Sequence, residues 1–381
     1  MLRKILFIAL LFSPGVMLGK QHAKNVILFL GDAGGIPTLS AASIHGYQKP
    51  RALYIQRMPH IGLSETSSTN SWVTDSAAGM TAIVTGEKTA NGVISEKAPA
   101  DGHDGAPLKT VLEYASEHGL STGVISNMAM ADATPAACYA HVDNRKKFGA
   151  IFQQVWTPRF GHGVDLVIGN GKKRITDDLN AMGIDLEKQV RSSGRSLYPS
   201  IDSIPPDAQR LVVLGDDPAF DVAAATAKAN EILSKNKKGF FLMVEWDLHP
   251  TKPEQCLNTV VKLDHLIEQT AKANSRDTLV LFTADHSFDF RVLKGKKGSD
   301  LKLPAERNRT DPASKNPEDR LDVAIGTSHA GEEVLVAAEG PGSEQVHGVL
   351  SNTDLFGIMM TAYGWRPDTT GSHRPIDFRE R

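Results

Sequence analysis

Asn25-Val26-Ile27-Leu28-Phe29-Leu30-Gly31-Asp32-Ala33-Gly34-Gly35 sets an apolar run directly before a carboxylate and a glycine-rich turn. Val26 to Leu30 is an unbroken apolar run, the pattern of a strand buried on both faces rather than the alternation of a half-exposed one. The run ends at a carboxylate, then glycines, then a helix expected over Ser40 to His45. The C-terminal end of a buried strand is where open α/β sheets collect ligands, although a turn Asp that caps the next helix has the same appearance. The construction recurs. Gly239 to Val244 empties into Glu245-Trp246-Asp247-Leu248-His249, and Thr278 to Ala284 into Asp285-His286. Ser121 to Ser126, Val164 to Gly169 and Arg210 to Leu214 read as further short strands, with helices at Leu108 to His118, around Leu186 to Val190 and at Asn258 to Ala271. Strands alternating with helices predict an α/β fold, a mostly parallel central sheet sandwiched by helices.

The 381 residues are 41% hydrophobic and 23% charged, which suits a globular chain with one large core or two modest ones. Formal net charge is -2 and the basic residues are scattered, so neither a nucleic-acid-binding surface nor a polybasic membrane patch is expected. Arg3 and Lys4 precede the apolar run Ile5 to Phe12, Pro14 and Gly15 break it, and Gly19 closes the segment. That is the layout of a secretory signal peptide over 1–19, leaving 20–381 as the mature domain with no stable membrane anchor after cleavage. A periplasmic or secreted location follows, which would permit disulfides. With only Cys138 and Cys256, one bridge and two buried free thiols both remain open.

A second organising stretch is Trp72-Val73-Thr74-Asp75-Ser76-Ala77-Ala78-Gly79-Met80-Thr81-Ala82. Good helix formers follow Ser76, Asp75 or Ser76 can cap the free amides, and Gly79 is small enough for close packing. The reading is a loop that presents the Ser76 hydroxyl at the first turn of a helix, a position that also suits phosphate. Farther on, Asp132 and Thr134 are two apart, so both oxygens can turn toward one cation. Arg145 lies eleven residues beyond Thr134 and reaches the sheet edge only if the intervening helix ends early. Glu245, Asp247 and His249 alternate, so an extended backbone points all three to one side, costly without a metal or counter-charges. Adjacent Asp285 and His286 can ligate one metal, and His329 adds an isolated imidazole before the strand-like Glu333 to Ala338. The segment from Phe290 to Arg320 is rich in Lys, Asp and Pro and reads as a solvated excursion or small cap. Asn308-Arg309-Thr310 matches a glycosylation acceptor, a pattern common by chance.

Taken together, Gly31-Asp32, Asp75-Ser76-Ala77-Ala78, Asp132-Ala133-Thr134-Pro135-Ala136-Ala137 with Arg145, Val244-Glu245, Thr283-Ala284-Asp285-His286 and His329-Ala330-Gly331-Glu332-Glu333 resemble the motifs of the alkaline phosphatase family in their usual order. The resemblance runs from about Asn25 to Tyr363, with further similarity in Gly86-Glu87-Lys88 and Thr353-Asp354-Leu355-Phe356. It implies a phosphomonoesterase with two Zn2+ and one Mg2+ at the C-terminal strand ends and Ser76 as a nucleophile that becomes phosphorylated. By position, Asp32, Asp285 and His286 would hold the zinc that binds the Ser76 oxygen, and His329, Asp247 and His249 the other. Asp32 would also reach the magnesium, with Asp132, Thr134 and Glu245. Arg145 would grip two phosphoryl oxygens, which favours a dianionic monoester over a diester. Family members are commonly dimers, so the resemblance leaves a homodimer open here, with 290–320 the segment where an interface would differ.

The chain departs from the family pattern at one place. The magnesium Glu is ordinarily followed five residues later by Asp, and that Asp four later by His. Here Asp247 follows Glu245 by two, and His249 by two more. Either Asp247 and His249 bind zinc from a tighter bend, or Glu245 and His249 do so and the magnesium site loses a ligand. The large crown insertion of the family is missing or reduced to 290–320. A relative that cleaves phosphodiesters or sulfate esters, and a phosphate- or metal-binding protein without turnover, are the competing readings.

Overall fold

The computed structural model describes residues 22–98, 105–274, 276–305 and 321–367. The expected signal peptide and the Asn308 acceptor lie outside those residues.

The opening stretch forms β1 (Asn25–Asp32), buried along its whole length. Nine more strands join it in one sheet: β2 (His60–Glu65), β3 (Ser121–Ala129), β4 (Leu166–Asn170), β5 (Ser196–Tyr198), β6 (Leu211–Gly215), β7 (Phe240–Asp247), β8 (Thr278–Thr283), β11 (Val334–Glu339) and β12 (Gly348–Ser351). Their order across the sheet is β12-β2-β11-β8-β1-β7-β3-β4-β6-β5. Every neighbouring pair is parallel except those made by β11, which runs against β2 and β8. Because β1, β3, β7 and β8 are parallel, their C-terminal ends open on one edge, as their terminal carboxylates predict. A separate antiparallel ribbon pairs β9 (Ser287–Val292) with β10 (Val323–Ala330).

The helices are α1 (Ile36–Tyr47), α2 (Ser76–Thr85), α3 (Val111–Glu117), α4 (Ala133–Ala136), α5 (Phe148–Gln153), α6 (Lys172–Ala181), α7 (Leu186–Ser192), α8 (Val222–Leu233), α9 (Pro253–Asn274) and α10 (Asp354–Tyr363). Strand alternation divides the core. Val26, Leu28 and Leu30 of β1 pack with α2, α3 and α10, and Ile27 and Phe29 pack with α1, α8 and α9 on the opposite face. The sandwich expected from the alternating pattern is present.

Several expected bounds move, each for a local reason. α1 starts at Ile36 rather than Ser40, because Pro37 suits a helix's first turn and Gly35, not Asp32, takes the cap position. α3 is shorter than 108–118: the Thr110 side chain accepts from the Glu113 amide while the Glu113 carboxylate accepts from the Thr110 amide, a reciprocal box that fixes the start. The excursion expected from Phe290 starts later, since Phe290 is buried and Ser287–Val292 is a paired strand.

Both cysteines are buried free thiols. Cys138 lies in the hydrophobic layer under α2 and Cys256 in the layer under α9, so the sheet separates them.

Candidate active site

α2 begins at Ser76, and Asp75 caps it by accepting from the Ala78 amide at 3.1 Å. The other Asp75 oxygen accepts from the Gly92 amide and from Nη1 of Arg145, both within 3.1 Å. Loop 72–75 is held on its far side as well: Asn91 donates to the Val73 carbonyl and accepts from the Asp75 amide. Ser76 is therefore a buried hydroxyl on a fixed turn, with unpaired helix amides beside it. Close packing completes its position. A Cβ on Gly79 would stand 2.8 Å from the Asp285 carbonyl oxygen and 3.2 Å from Asp285 Cβ, so α2 approaches the β8 terminus by using the missing side chain.

Ser76 Oγ is 3.2 Å from Nε2 of His286 and 3.5 Å from Oδ2 of Asp32. A carbonyl oxygen only accepts, so His286 Nδ1 donates to Ser287 O at 3.0 Å, and in the neutral ring Nε2 is a lone pair. Burial is the main cause that pulls the His286 pKa down to about 4, so the ring is neutral at physiological pH. Around that nitrogen lie Oδ1 of Asp32 at 3.4 Å and Oδ2 of Asp285 at 3.6 Å. These two oxygens are buried without hydrogen-bond partners. Burial, followed by repulsion from Asp285, Glu245, Asp247 and Asp132, raises the Asp32 pKa well above the usual range. Carboxylates crowded in this way, with orphaned oxygens facing an imidazole lone pair, fit a divalent cation.

A second convergence lies beside the first. His329 Nδ1 donates to the Thr74 carbonyl at 3.1 Å, and His249 Nδ1 to Asp247 Oδ1 at 2.6 Å. The two Nε2 atoms then face each other at 3.4 Å. Two acceptor nitrogens at that separation repel unless a cation lies between them. Ligands about 2.0–2.1 Å from a tetrahedral zinc stand about 3.3–3.4 Å apart, which matches. Three sets of donor atoms close to within 4.8 Å: Asp32 with Asp285 and His286, Asp32 with Asp247 and His249, and His249 with His286 and His329.

The remaining expected residues lie around this pair of centres but outside the compact sets. Glu245 is buried and accepts a short hydrogen bond from Ser126 Oγ. Burial, partly offset by that bond, and then Asp132, Asp285 and Asp247 raise its pKa well above the usual range. Thr134 is buried in the one-turn α4, and Asp132 caps α4 by accepting from Ala133 N at 2.7 Å. Because α4 stops at Ala136, the chain turns back in time for Arg145 to reach the edge, with its amide bonded to the Gly92 carbonyl. Nη2 of Arg145 donates to Asp132 at 2.9 Å. Burial opposes its charge, but Asp132 and Asp75 more than offset this and raise its pKa. The expectation that Glu245, Asp247 and His249 share one direction is met only in part. β7 ends at Asp247, Glu245 turns to Ser126, and Asp247 and His249 turn together toward Asp32.

A sequence model described as alkaline phosphatase matches residues 23–202 and 215–314. The chain belongs to the alkaline phosphatase family. The alkaline phosphatase of Escherichia coli K12 is 29% identical over 91% of this chain and 87% of that protein. The human tissue-nonspecific alkaline phosphatase is 26% identical over 87% of this chain and 82% of its own length. Among solved structures, alkaline phosphatase from the Antarctic bacterium TAB5 superposes with a TM-score of 0.73 at 24% identity, covering 92% of this chain and all of that one. That of Thermus thermophilus gives 0.73 at 20% identity, over 94% and 96%. These two likenesses show the fold. Ser126, Asn127 and Asn91 were not singled out by the sequence reading. Each is a neutral polar residue whose role lies in a partner distant along the chain, and only the strand-end position of Ser126 and Asn127 marks them.

Proposed function

We propose that the protein is a zinc- and magnesium-dependent phosphomonoesterase that works through a phosphoserine on Ser76. The observation that carries this reading is the position of Ser76 Oγ. It stands 3.2 Å from a neutral imidazole nitrogen flanked by orphaned carboxylate oxygens, next to an Asp75 that anchors a guanidinium. Asp32, Asp285 and His286 would hold one zinc, Asp247, His249 and His329 the second, and Asp132, Thr134 and Glu245 with Asp32 the magnesium. When bound, these ions supply Lewis-acid charge that favours the ionised serine and stabilises the departing oxygen. A solved variant of the TAB5 alkaline phosphatase has magnesium bound in its M3 site, consistent with a magnesium position in this reading.

Ser76 Oγ attacks phosphorus in line, the P–O bond to the alcohol breaks, and the alcohol leaves with a proton. Water then attacks the phosphoserine, releases inorganic phosphate and returns the serine hydroxyl. Two displacements retain configuration at phosphorus. Little covalent work falls to the protein, because the transition state is loose and its charge lies on the peripheral oxygens. Holding those oxygens is the task of the α2 amides and of Arg145. The guanidinium has five N–H donors, of which Asp75 and Asp132 engage one on each terminal nitrogen, leaving the others for two phosphoryl oxygens. A monoester has three unsubstituted oxygens and two charges, so two can meet that fork while a third is left for a cation; a diester has two such oxygens and one charge. We further infer export by the N-terminal segment, on the charge and apolar pattern of residues 1–19. No described helix is long and apolar enough to cross a membrane.

The test is hydrolysis of an aryl phosphate monoester against the matching diester by wild type and Ser76→Ala, after reconstitution with zinc and magnesium. Monoester preference lost on chelation and in Ser76→Ala, with acid-quenched phosphoserine in wild type alone, supports the reading. Stoichiometric metal without turnover refutes it, and diester preference moves the protein to another branch of the superfamily.

A further inference from the structure

The shortened spacing Glu245-Trp246-Asp247-Leu248-His249 raises a structural question that β3 answers. In a parallel ladder, β7 would be held on both sides by backbone. On the β1 side it is: Asp247 pairs with Asp32, and the next amide, Leu248 N–H, donates to the Asp32 carbonyl at 2.9 Å. On the β3 side the ladder stops at the pair Ser126 and Glu245, and β3 then shifts register against β4 between Ser126 and Ala129. The Asp247 amide has no backbone acceptor there. The side chain of Asn127 takes its place, Oδ1 accepting from Asp247 N–H at 2.9 Å. An N–H donor only donates, so the carbonyl end of the amide is assigned to this contact. The backbone of Asn127 is fixed in turn, since its carbonyl accepts from Asn170 Nδ2 at 2.9 Å, and Asn170 Oδ1 accepts from Asp217 N–H at 3.0 Å. Ser126, one residue earlier, bonds Glu245. Two consecutive residues of β3 thus hold the two alternate carboxylate residues at the end of β7.

We propose that Asn127 is a positioning residue for the second zinc centre: it extends the β7 ladder by one side-chain hydrogen bond and so holds the Asp247 carboxylate, with the His249 ring that leans on it, beside Asp32. This rests on the reading of Asp247 and His249 as zinc ligands. Without the Asn127 acceptor, the strand terminus is held from the β1 side only, and the carboxylate swings on a backbone free to twist. The bond is to a ligand's backbone and not to its carboxylate, so Asn127 acts through geometry, leaving the ligand's charge unchanged. Support of this kind commonly sets metal affinity by about 10- to 100-fold.

The experiment compares wild type, Asn127→Ala, Asn127→Leu, Asn127→Asp and Asp247→Ala, each stripped with chelator and titrated with zinc against a chromophoric competitor. Unfolding is followed in zinc and in chelator. Expected is a loss of about 10- to 100-fold in affinity for one zinc in Asn127→Ala and Asn127→Leu. Asn127→Asp keeps an acceptor oxygen and remains close to wild type. The melting temperature of the Ala and Leu variants should fall further below wild type in zinc than in chelator; a merely structural role lowers both equally. Asn127→Leu keeps the side-chain bulk, so a failure of Asn127→Ala to fold still leaves a readable variant. Equal zinc affinity in Asn127→Leu and wild type, while Asp247→Ala loses an ion, overturns the positioning role alone. Full zinc retention by Asp247→Ala, or no zinc bound by wild type, overturns the ligand assignment and this inference with it.

Discussion

Gly79→Ala tests the approach of α2 to the β8 terminus, because two effects of similar size oppose each other there. Gly79 lies inside a ten-residue helix, where alanine is intrinsically favoured by about 0.8–1.0 kcal/mol. The added methyl group, however, would stand 2.8 Å from the Asp285 carbonyl oxygen and 3.2 Å from both Asp285 Cβ and Thr74 Cγ2. The nearest obstacle is backbone, which cannot rotate away as a long side chain could. Overpacking of this kind costs about 1–3 kcal/mol, so the expected net change is a destabilisation of about 1 kcal/mol. The displaced residue also matters: Asp285 Oδ1 accepts from the His286 and Ala33 amides, and Oδ2 faces His286 Nε2. A shift of a few tenths of an ångström there should weaken zinc retention as well as folding. Urea unfolding of the chelated proteins measures the first effect, and zinc competition the second. A variant about 1 kcal/mol more stable than wild type, as helix propensity alone predicts, with unchanged zinc affinity, would refute the close-packing argument.

Arg145→Lys should lower kcat/KM for a phosphate monoester by about 10- to 100-fold, since one ammonium cannot replace two parallel charged hydrogen bonds of about 1.5–3 kcal/mol each; diester hydrolysis should change less. His141 offers a pH test away from the metal centres. Both ring nitrogens face acceptors, Glu113 Oε1 at 2.9 Å and Ser95 O at 2.7 Å, and although burial works against the charge, Glu113 raises the pKa above 6.5. The pair's contribution is therefore complete below the unfolded pKa and lost as pH rises through the folded one. Glu113→Gln should cost about 3–5 kcal/mol near pH 6 and less near pH 9, read by urea denaturation. Stripping the metals should expose a dependence of the same sign at lower pH. The Asp32 and Glu245 pKa values are raised above 3.8 and 4.5, so the chelated protein should lose stability as pH rises beyond those values. The gain on adding zinc and magnesium should then be larger near pH 8 than near pH 5; an equal gain at both would contradict the account.

Sequence carried the fold through its buried strands. Val26 to Leu30, Phe240 to Val244 and Leu279 to Phe282 are apolar without interruption because they lie between two helical layers, and each places its carboxylate just beyond. Ser76 was legible for a similar reason, since a cap residue and a run of helix formers are local signals. Arg145 was not legible from its spacing alone. Its reach depends on α4 ending after four residues, and that is set by packing beneath α2. The sheet edge was equally hidden: nothing in the apolar pattern of Glu333 to Ala338 distinguishes the antiparallel β11 from its parallel neighbours. The choice between Asp247 and Glu245 as the partner of His249 could not be read from a spacing, because it depends on hydrogen bonds from β3, more than a hundred residues earlier in the chain.

The separation of Cys138 and Cys256 by the full thickness of the sheet bears on where this chain can be made. Burial raises both thiol pKa values, that of Cys256 to about 12, so neither presents the thiolate needed for exchange. No crosslink joins the two layers, and none can form without dismantling them. Redox poise therefore matters before folding rather than after it: a bridge formed in the unfolded chain would have to be reduced before the two layers could assemble, whereas an oxidoreductase would have nothing to join in the finished molecule.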